Sequence, residues 1–135
     1  MDEVSLQDEL GVRRTLAAYC HLCDDGAFDE LVALFTPDAA LIYGERRARG
    51  PEEIHAFFSE RQAIPEERGK HLTMNTVVDV QGDRARALSD LLYLKFVDGV
   101  LTPWVTGRYR DELVRVNGHW RFARREILRL DAPGS

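Results

Sequence analysis

An α+β fold is predicted by three features of the sequence. Apolar residues in the first half recur at helical spacing, those in the second half alternate with polar ones over long runs, and Gly-containing turn signals separate those runs. Helices followed by a meander of long antiparallel strands is an α+β order. The 135 residues carry no repeat, low-complexity tract or linker, so a single domain is expected over 5–130, with tails at 1–4 and 131–135.

Val12, Leu16, Tyr19, Cys20 and Cys23 follow the 3–4 spacing of a long amphipathic helix that should stop at Gly26, a residue suited to a left-handed C-terminus. Phe28, Leu31, Val32 and Phe35 predict a second, short helix, ended by Thr36-Pro37-Asp38. Ala39 to Tyr43 then reads as a short strand. Pro51, followed by Glu52 and Glu53, opens a third helix with Ile54, Phe57 and Phe58 facing inward. Four long strands complete the chain. Leu72 to Val80 alternates, and Gln81-Gly82-Asp83 turns it into a strand over Arg84 to Phe96. Asp98-Gly99 leads into Val100 to Val114, and Asn117-Gly118 into Trp120 to Leu130.

Composition excludes several function classes. Eighteen Lys plus Arg against 23 Asp plus Glu leave a net charge of −5 and no basic patch for a nucleic acid. No apolar run is long enough to cross a bilayer and no N-terminal segment reads as a signal, which predicts a cytoplasmic protein without a membrane partner. Two cysteines are too few for a disulfide framework, and the four histidines lack metal-ligand spacing, so no metal and no cofactor is expected. Leu91 to Leu94 is apolar on both strand faces. Helices can cover one face of the sheet, so the other is expected to meet a second copy in a homodimer.

Few residues are left to carry chemistry. Cys20 and Cys23 have C-x-x-C spacing, but at the end of an amphipathic helix they read as buried packing. Asp24 and Asp25 oppose the helix dipole there, and a carboxylate so placed favours a cation or imidazole partner; Asp25 is expected to form the turn or cap the next helix. His71 shares a strand face with Thr73 and Asn75, whereas His55 and His119 look like surface residues. Tyr19 and Tyr43 each place a hydroxyl on an apolar track, where it needs a partner if buried. Serine-nucleophile and phosphate-loop motifs are missing from the sequence.

Several strings taken together resemble the SnoaL-like domain of the nuclear transport factor 2-like superfamily. They are Tyr19-Cys20-His21-Leu22-Cys23-Asp24-Asp25-Gly26, the run from Phe28 to Ala39, Gly50-Pro51-Glu52-Glu53-Ile54, Lys70-His71-Leu72-Thr73-Met74-Asn75, and Asn117-Gly118-His119-Trp120-Arg121-Phe122. The resemblance spans nearly the whole chain. It implies a cone: a strongly curved antiparallel sheet packed on N-terminal helices and enclosing an apolar pocket. Enzymes on this fold include scytalone dehydratase, bile-acid 7α-dehydratase, polyketide cyclases, limonene-epoxide hydrolase and ketosteroid isomerase, and other members only bind ligands or partners.

Carried over residue by residue, the resemblance matches Asp24 and His71 to the aspartate–histidine pair of the dehydratases, and Tyr19 and Tyr43 to pocket tyrosines. Tyr43 stands where ketosteroid isomerase has its general-base aspartate, which disfavours that mechanism because neutral tyrosine is a poor base. Lys95 or a neighbour replaces the second histidine of scytalone dehydratase, and Gly107 and Tyr109 replace its serine and asparagine, so scytalone is disfavoured as substrate. The limonene-epoxide hydrolase signature is not recognisable.

The expected catalytic set is therefore Asp24, His71, Tyr19 and Tyr43, with Phe57, Phe58, Thr73, Asn75, Tyr93 and Tyr109 contacting a small apolar substrate. Arg124 or Arg125 is the candidate contact for a substrate acid group, and strand periodicity leaves the choice open. Acid–base chemistry on a polycyclic or aromatic hydroxy-ketone follows: dehydration, isomerisation or cyclisation. Two alternatives stand beside it, a non-catalytic ligand-binding or dimerisation module and a structural small subunit resembling the β chain of ring-hydroxylating dioxygenases.

Overall fold

In a computed structural model the chain folds as helices packed on a curved, open six-stranded sheet. The structure describes residues 3–130; the tails expected at 1–4 and 131–135 lie outside them, except that Glu3 and Val4 already belong to the first helix. The elements are α1 (Glu3–Asp25), α2 (Phe28–Val32), β1 (Phe35–Tyr43), β2 (Arg46–Arg49), α3 (Gly50–Gln62), a 3-10 turn (Pro65–Glu67), β3 (Lys70–Gln81), β4 (Arg84–Val97), β5 (Val100–Val116) and β6 (His119–Arg129). No helix among the described residues is long and apolar enough to cross a membrane.

The sheet order is β2-β1-β6-β5-β4-β3. Antiparallel pairing, expected throughout, holds for β3 to β6 and for β1 with β2, while β1 and β6 run parallel. That pair is possible because α3 and four strands, β2 to β5, intervene in sequence, giving the crossover that parallel neighbours require. Two tight turns follow the sequence signals. Asp98-Gly99 and Asn117-Gly118 all have positive φ, the conformation of type I′ hairpins that match the twist of the strands they join.

The second helix is shorter than expected. It ends at Val32, and Phe35 opens β1, so Thr36-Pro37-Asp38 runs inside a strand instead of stopping a helix. Packing explains this: Phe35 is 4 % exposed against the Phe122 ring at 5.0 Å, and the Phe122 N–H donates to the Leu34 carbonyl. Tertiary contact has overridden helical spacing. The four-residue β2, rich in arginine, had no apolar alternation to reveal it.

Helix α1 lays Val12, Leu16, Tyr19, Cys20 and Cys23 into the core, all below one-tenth exposed. Its end is a Schellman motif: the Gly26 N–H meets the Cys23 carbonyl, the Ala27 N–H meets the Leu22 carbonyl, and Gly26 takes φ 71°. The motif turns the chain sharply just after Asp24. On β4, Leu91 and Tyr93 face the helices, while Leu92 and Leu94 join Leu72, Phe96 and Leu101 on the outer face of the sheet.

Candidate functional site

Two local devices bring β3 to the end of α1. Arg68 donates to carbonyls of Asp25, Gln62 and Ala63, tying together the ends of α1 and α3 just before β3 begins. Gly69 follows, packed so closely on the Leu94 carbonyl that a Cβ would collide with it, and its N–H donates to the Tyr93 hydroxyl at 3.0 Å. His71 is thereby set against Asp24.

The contact is close and has three parts. The ring Nδ1 of His71 lies 2.6 Å from Asp24 Oδ1, and the His71 backbone N–H donates to both carboxylate oxygens at 3.0 and 3.1 Å. The two side chains are 12% and 10% exposed. An acid opposing the helix dipole thus finds a donor pair on the neighbouring strand. Asp25 is exposed and caps nothing: the residue before α2 is Ala27, with no side-chain cap.

His71 Nε2 faces the Sγ of Cys23 at 3.8 Å, and both residues line a cavity of about 330 Å³. Cys23 was read from sequence as packing alone. Adjacency to Asp24 is the available signal, since consecutive residues at the end of α1 reach the two nitrogens of one imidazole. Burial, then the neighbouring Asp24, pushes the Cys23 thiol well up, so it stays a neutral S–H.

Aromatic side chains form the walls. Phe57 and Phe58 of α3 and Tyr93 of β4 line the cavity, with the Tyr93 ring 4.5 Å from that of His71. Tyr19, Tyr43 and Tyr109 bring phenol groups to the same space. Among the described residues no hydrogen bond holds the hydroxyls of these three. Burial holds the Tyr19 and Tyr109 phenols well above their ordinary range, so both remain neutral donors. Behind them lies Arg125, fully buried, its guanidinium 3.5 Å from the Tyr109 ring and 4.1 Å from that of Tyr19. It is paired to Asp111 at 2.9 Å; burial pushes that carboxyl up to about 6, against the pull of the guanidinium.

Thr73 and Asn75, expected to touch substrate, are not among the residues lining this cavity. Thr73 points at α1 and contacts Cys20 Sγ at 3.1 Å. Asn75, at φ 55° beside the β3 irregularity between Met74 and Val77, donates to Asp90 on the exposed face. Thr73 keeps the inward face of His71 but is covered by α1, and the irregularity accounts for Asn75 alone. Arg125 is sealed behind the tyrosines and Arg124 pairs weakly with Glu126 at 3.7 Å, so neither lines the cavity; Arg61, Lys95 and Arg129 do. No cluster of three or more candidate metal ligands occurs among the described residues.

No curated protein matches the sequence. Similar solved structures include Rv3472 of Mycobacterium tuberculosis, of unknown function, at 24% identity and TM-score 0.90 over 98% of this chain and 79% of that one. An NTF2-like protein with a cystatin-like fold from Novosphingobium aromaticivorans gives 26% identity and TM-score 0.88 over 96% and 86%. A candidate scytalone dehydratase from the same organism gives 25% identity and TM-score 0.86 over 97% and 89%. The SnoaL-like domain family matches residues 4–126, nearly the whole described chain, and the chain belongs to that family.

Proposed function

We propose that the protein is a cofactor-free acid–base enzyme acting on an aromatic or polycyclic hydroxy-ketone, with His71 as proton carrier. The observation that carries this reading is the 2.6 Å contact between His71 Nδ1 and Asp24 at the wall of a cavity lined by phenols. Asp24 accepts a hydrogen bond from Nδ1–H, which fixes the tautomer and leaves the Nε2 lone pair as base. A substrate entering the cavity replaces the Cys23 thiol at Nε2 and gives up a proton from the carbon next to its carbonyl. Tyr19, Tyr43 and Tyr109 are available to donate to the enolate oxygen as its charge develops. The imidazolium then returns the proton to a hydroxyl on the β carbon, the C–O bond breaks, and water leaves. The enolate electrons form the new double bond. Reprotonation at another carbon gives an isomer, and attack on a second carbonyl gives a ring.

The outer-face patch of Leu72, Leu92, Leu94, Phe96 and Leu101 supports assembly as a homodimer, and light scattering on the purified chain checks it. Activity is tested by comparing wild type with His71→Ala and Asp24→Asn on a panel of hydroxy-ketones. Loss in both variants is expected. Turnover unchanged in both overturns the mechanism. Ligand retention without turnover in the wild type would assign the cavity to binding alone.

A further inference from the structure

The cavity is graded from end to end. Its inner part is Tyr19, Phe58 and Tyr109, each at most 3% exposed, around the His71–Asp24 pair. At its opening stand Arg61 from α3, Lys95 from β4 and Arg129 from β6, beside Trp104, which is 54% exposed. Three cations from three separate elements converge on one opening in a chain of net charge −5, and Glu67 is the single carboxylate in the lining. Dispersed surface charge on an acidic protein would not be expected to collect in this way.

Strand register explains the convergence. Lys95 follows Tyr93 by two residues on β4, so both side chains leave the sheet on the cavity side. Arg129 is paired across β5 with Gly107, which is itself paired with Leu91. A Cβ on Gly107 would run into the Leu128 carbonyl, so the absence of a side chain there lets β6 close on β5 directly before Arg129. Arg61 sits over aromatic rings, its Cζ 4.5 Å from the Phe57 ring centroid and 5.0 Å from that of Tyr43, which holds the guanidinium at the opening. Lys95 Nζ is held 5.2 Å from the Trp104 ring. Neither Arg61 nor Lys95 forms an ion pair among the described residues. A cleft lined by one sign of charge with low-dielectric walls concentrates the opposite charge.

We infer that the ligand of this cavity is an anion: an aromatic carboxylate whose ring system lies among Phe57, Phe58 and Tyr93 and whose acid group is bound at the opening by Arg61 and Lys95. The inference rests on the cavity being the substrate site, and it narrows the substrate class to hydroxy-keto acids. The acid group is neutralised by the cations that hold it, so its charge does not oppose formation of the enolate beside His71. Gln62 lines the same cavity with a buried Oε1 that has no hydrogen-bond partner among the described residues, an acceptor suited to a ligand hydroxyl.

The test is a titration followed by Trp104 fluorescence or calorimetry at low salt. Hydroxylated benzoic and naphthoic acids are the probes, each beside its primary amide. Carboxylates are expected to bind about 10- to 100-fold tighter than matched amides, as for a charge-assisted contact to two cations. The preference should shrink as salt rises. The double variant Arg61→Gln/Lys95→Gln should remove most of the preference for acid over amide, leaving only the contribution of Arg129, and Lys95→Gln alone should remove part of it.

Equal binding of acid and amide by the wild type overturns the inference, as does a preference that is undiminished in the double variant. So does a panel in which no carboxylate binds. Asp24→Asn separates this outcome from failure of the proposed chemistry, because it should abolish turnover and keep the anion preference. Turnover of neutral hydroxy-ketones without any anion preference would leave the acid–base reading standing and remove this one.

Discussion

Replacing Asp24 by Asn tests the proposed chemistry through a proton position that can be observed without knowing the substrate. The carboxylate accepts from the His71 backbone N–H through both oxygens and from the ring through Oδ1. Asparagine has one oxygen for these donors. With that oxygen at the Oδ1 position, the amide NH₂ points at the backbone N–H from 3.1 Å, donor against donor. With the amide turned round, its oxygen serves the backbone N–H and its NH₂ donates to Nδ1, which satisfies every group. The second arrangement wins, and in a neutral imidazole it moves the ring proton to Nε2, where the base is needed.

Loss of a positioned general base costs about 10²- to 10⁴-fold in rate, which at about 1.4 kcal/mol per decade is roughly 3–5 kcal/mol of barrier. Stability should fall much less, by about 1–2 kcal/mol, because neutral hydrogen bonds replace charge-assisted ones. Long-range proton–nitrogen NMR of the His71 ring reads the tautomer, and a hydroxy-ketone panel reads the rate. The wild type should carry its proton on Nδ1 and the variant on Nε2. Finding the same tautomer in both, with turnover within threefold, would refute the reasoning.

Three further outcomes follow from the packing around the site. Arg125→Met leaves Asp111 buried without its cation and should cost about 3–5 kcal/mol in urea unfolding, whereas Arg125→Met/Asp111→Leu should recover most of that loss; a double variant as unstable as the single would show that the pair itself is not what matters. Gly69→Ala places a Cβ against the Leu94 carbonyl, which is backbone and cannot yield, so β3 should shift; about 1–3 kcal/mol of stability should go with it, together with a changed His71 ring signal by NMR. Because burial pushes the Cys23 thiol up, the native protein should resist iodoacetamide at about pH 8.5, where an ordinary thiol is half ionised, and react fully once unfolded. The sign follows from the shift. The contribution of the buried S–H to stability is complete below the unfolded thiol's range and is lost as pH rises through the elevated native value. Rapid native alkylation would contradict it.

How much of this was legible in the sequence depended on whether the signal was local. The Schellman turn at Gly26, the type I′ hairpins at Asp98-Gly99 and Asn117-Gly118, and the opening of α3 at Pro51 are each written within a few adjacent residues. They are legible because backbone conformation there is set by the residue itself. The shortening of α2 was not legible, since it is decided by Phe122, 87 positions beyond Phe35 in the strand pair that holds it. Asp24 and His71 could be named because each was anomalous where it stood, one against a helix dipole and the other on a strand of alternating pattern. That they meet is a property of Arg68 and Gly69, which join the ends of α1 and α3 to β3.

Side-chain direction was the least legible property, and it decides the substrate contacts. A strand's period of two assigns a face but not what covers it: Tyr93 and Tyr109 reach the cavity, Thr73 faces inward but meets Cys20 of α1, and Asn75 is turned outward at the β3 irregularity. The same uncertainty hid the cations. Arg61, Lys95 and Arg129 look in sequence like any of the 18 basic residues, and what sets them apart is convergence from three elements on one opening. Arg125, the inward-facing arginine near the end of β6, is spent on Asp111 and on the rings of Tyr19 and Tyr109. It therefore supports the phenol wall from behind, and recognition of an acid group falls to residues at the opening. That division separates the two ends of the cavity: substitutions at Arg61 and Lys95 should alter which ligands bind, and substitutions at Asp24 and His71 should alter what happens to them.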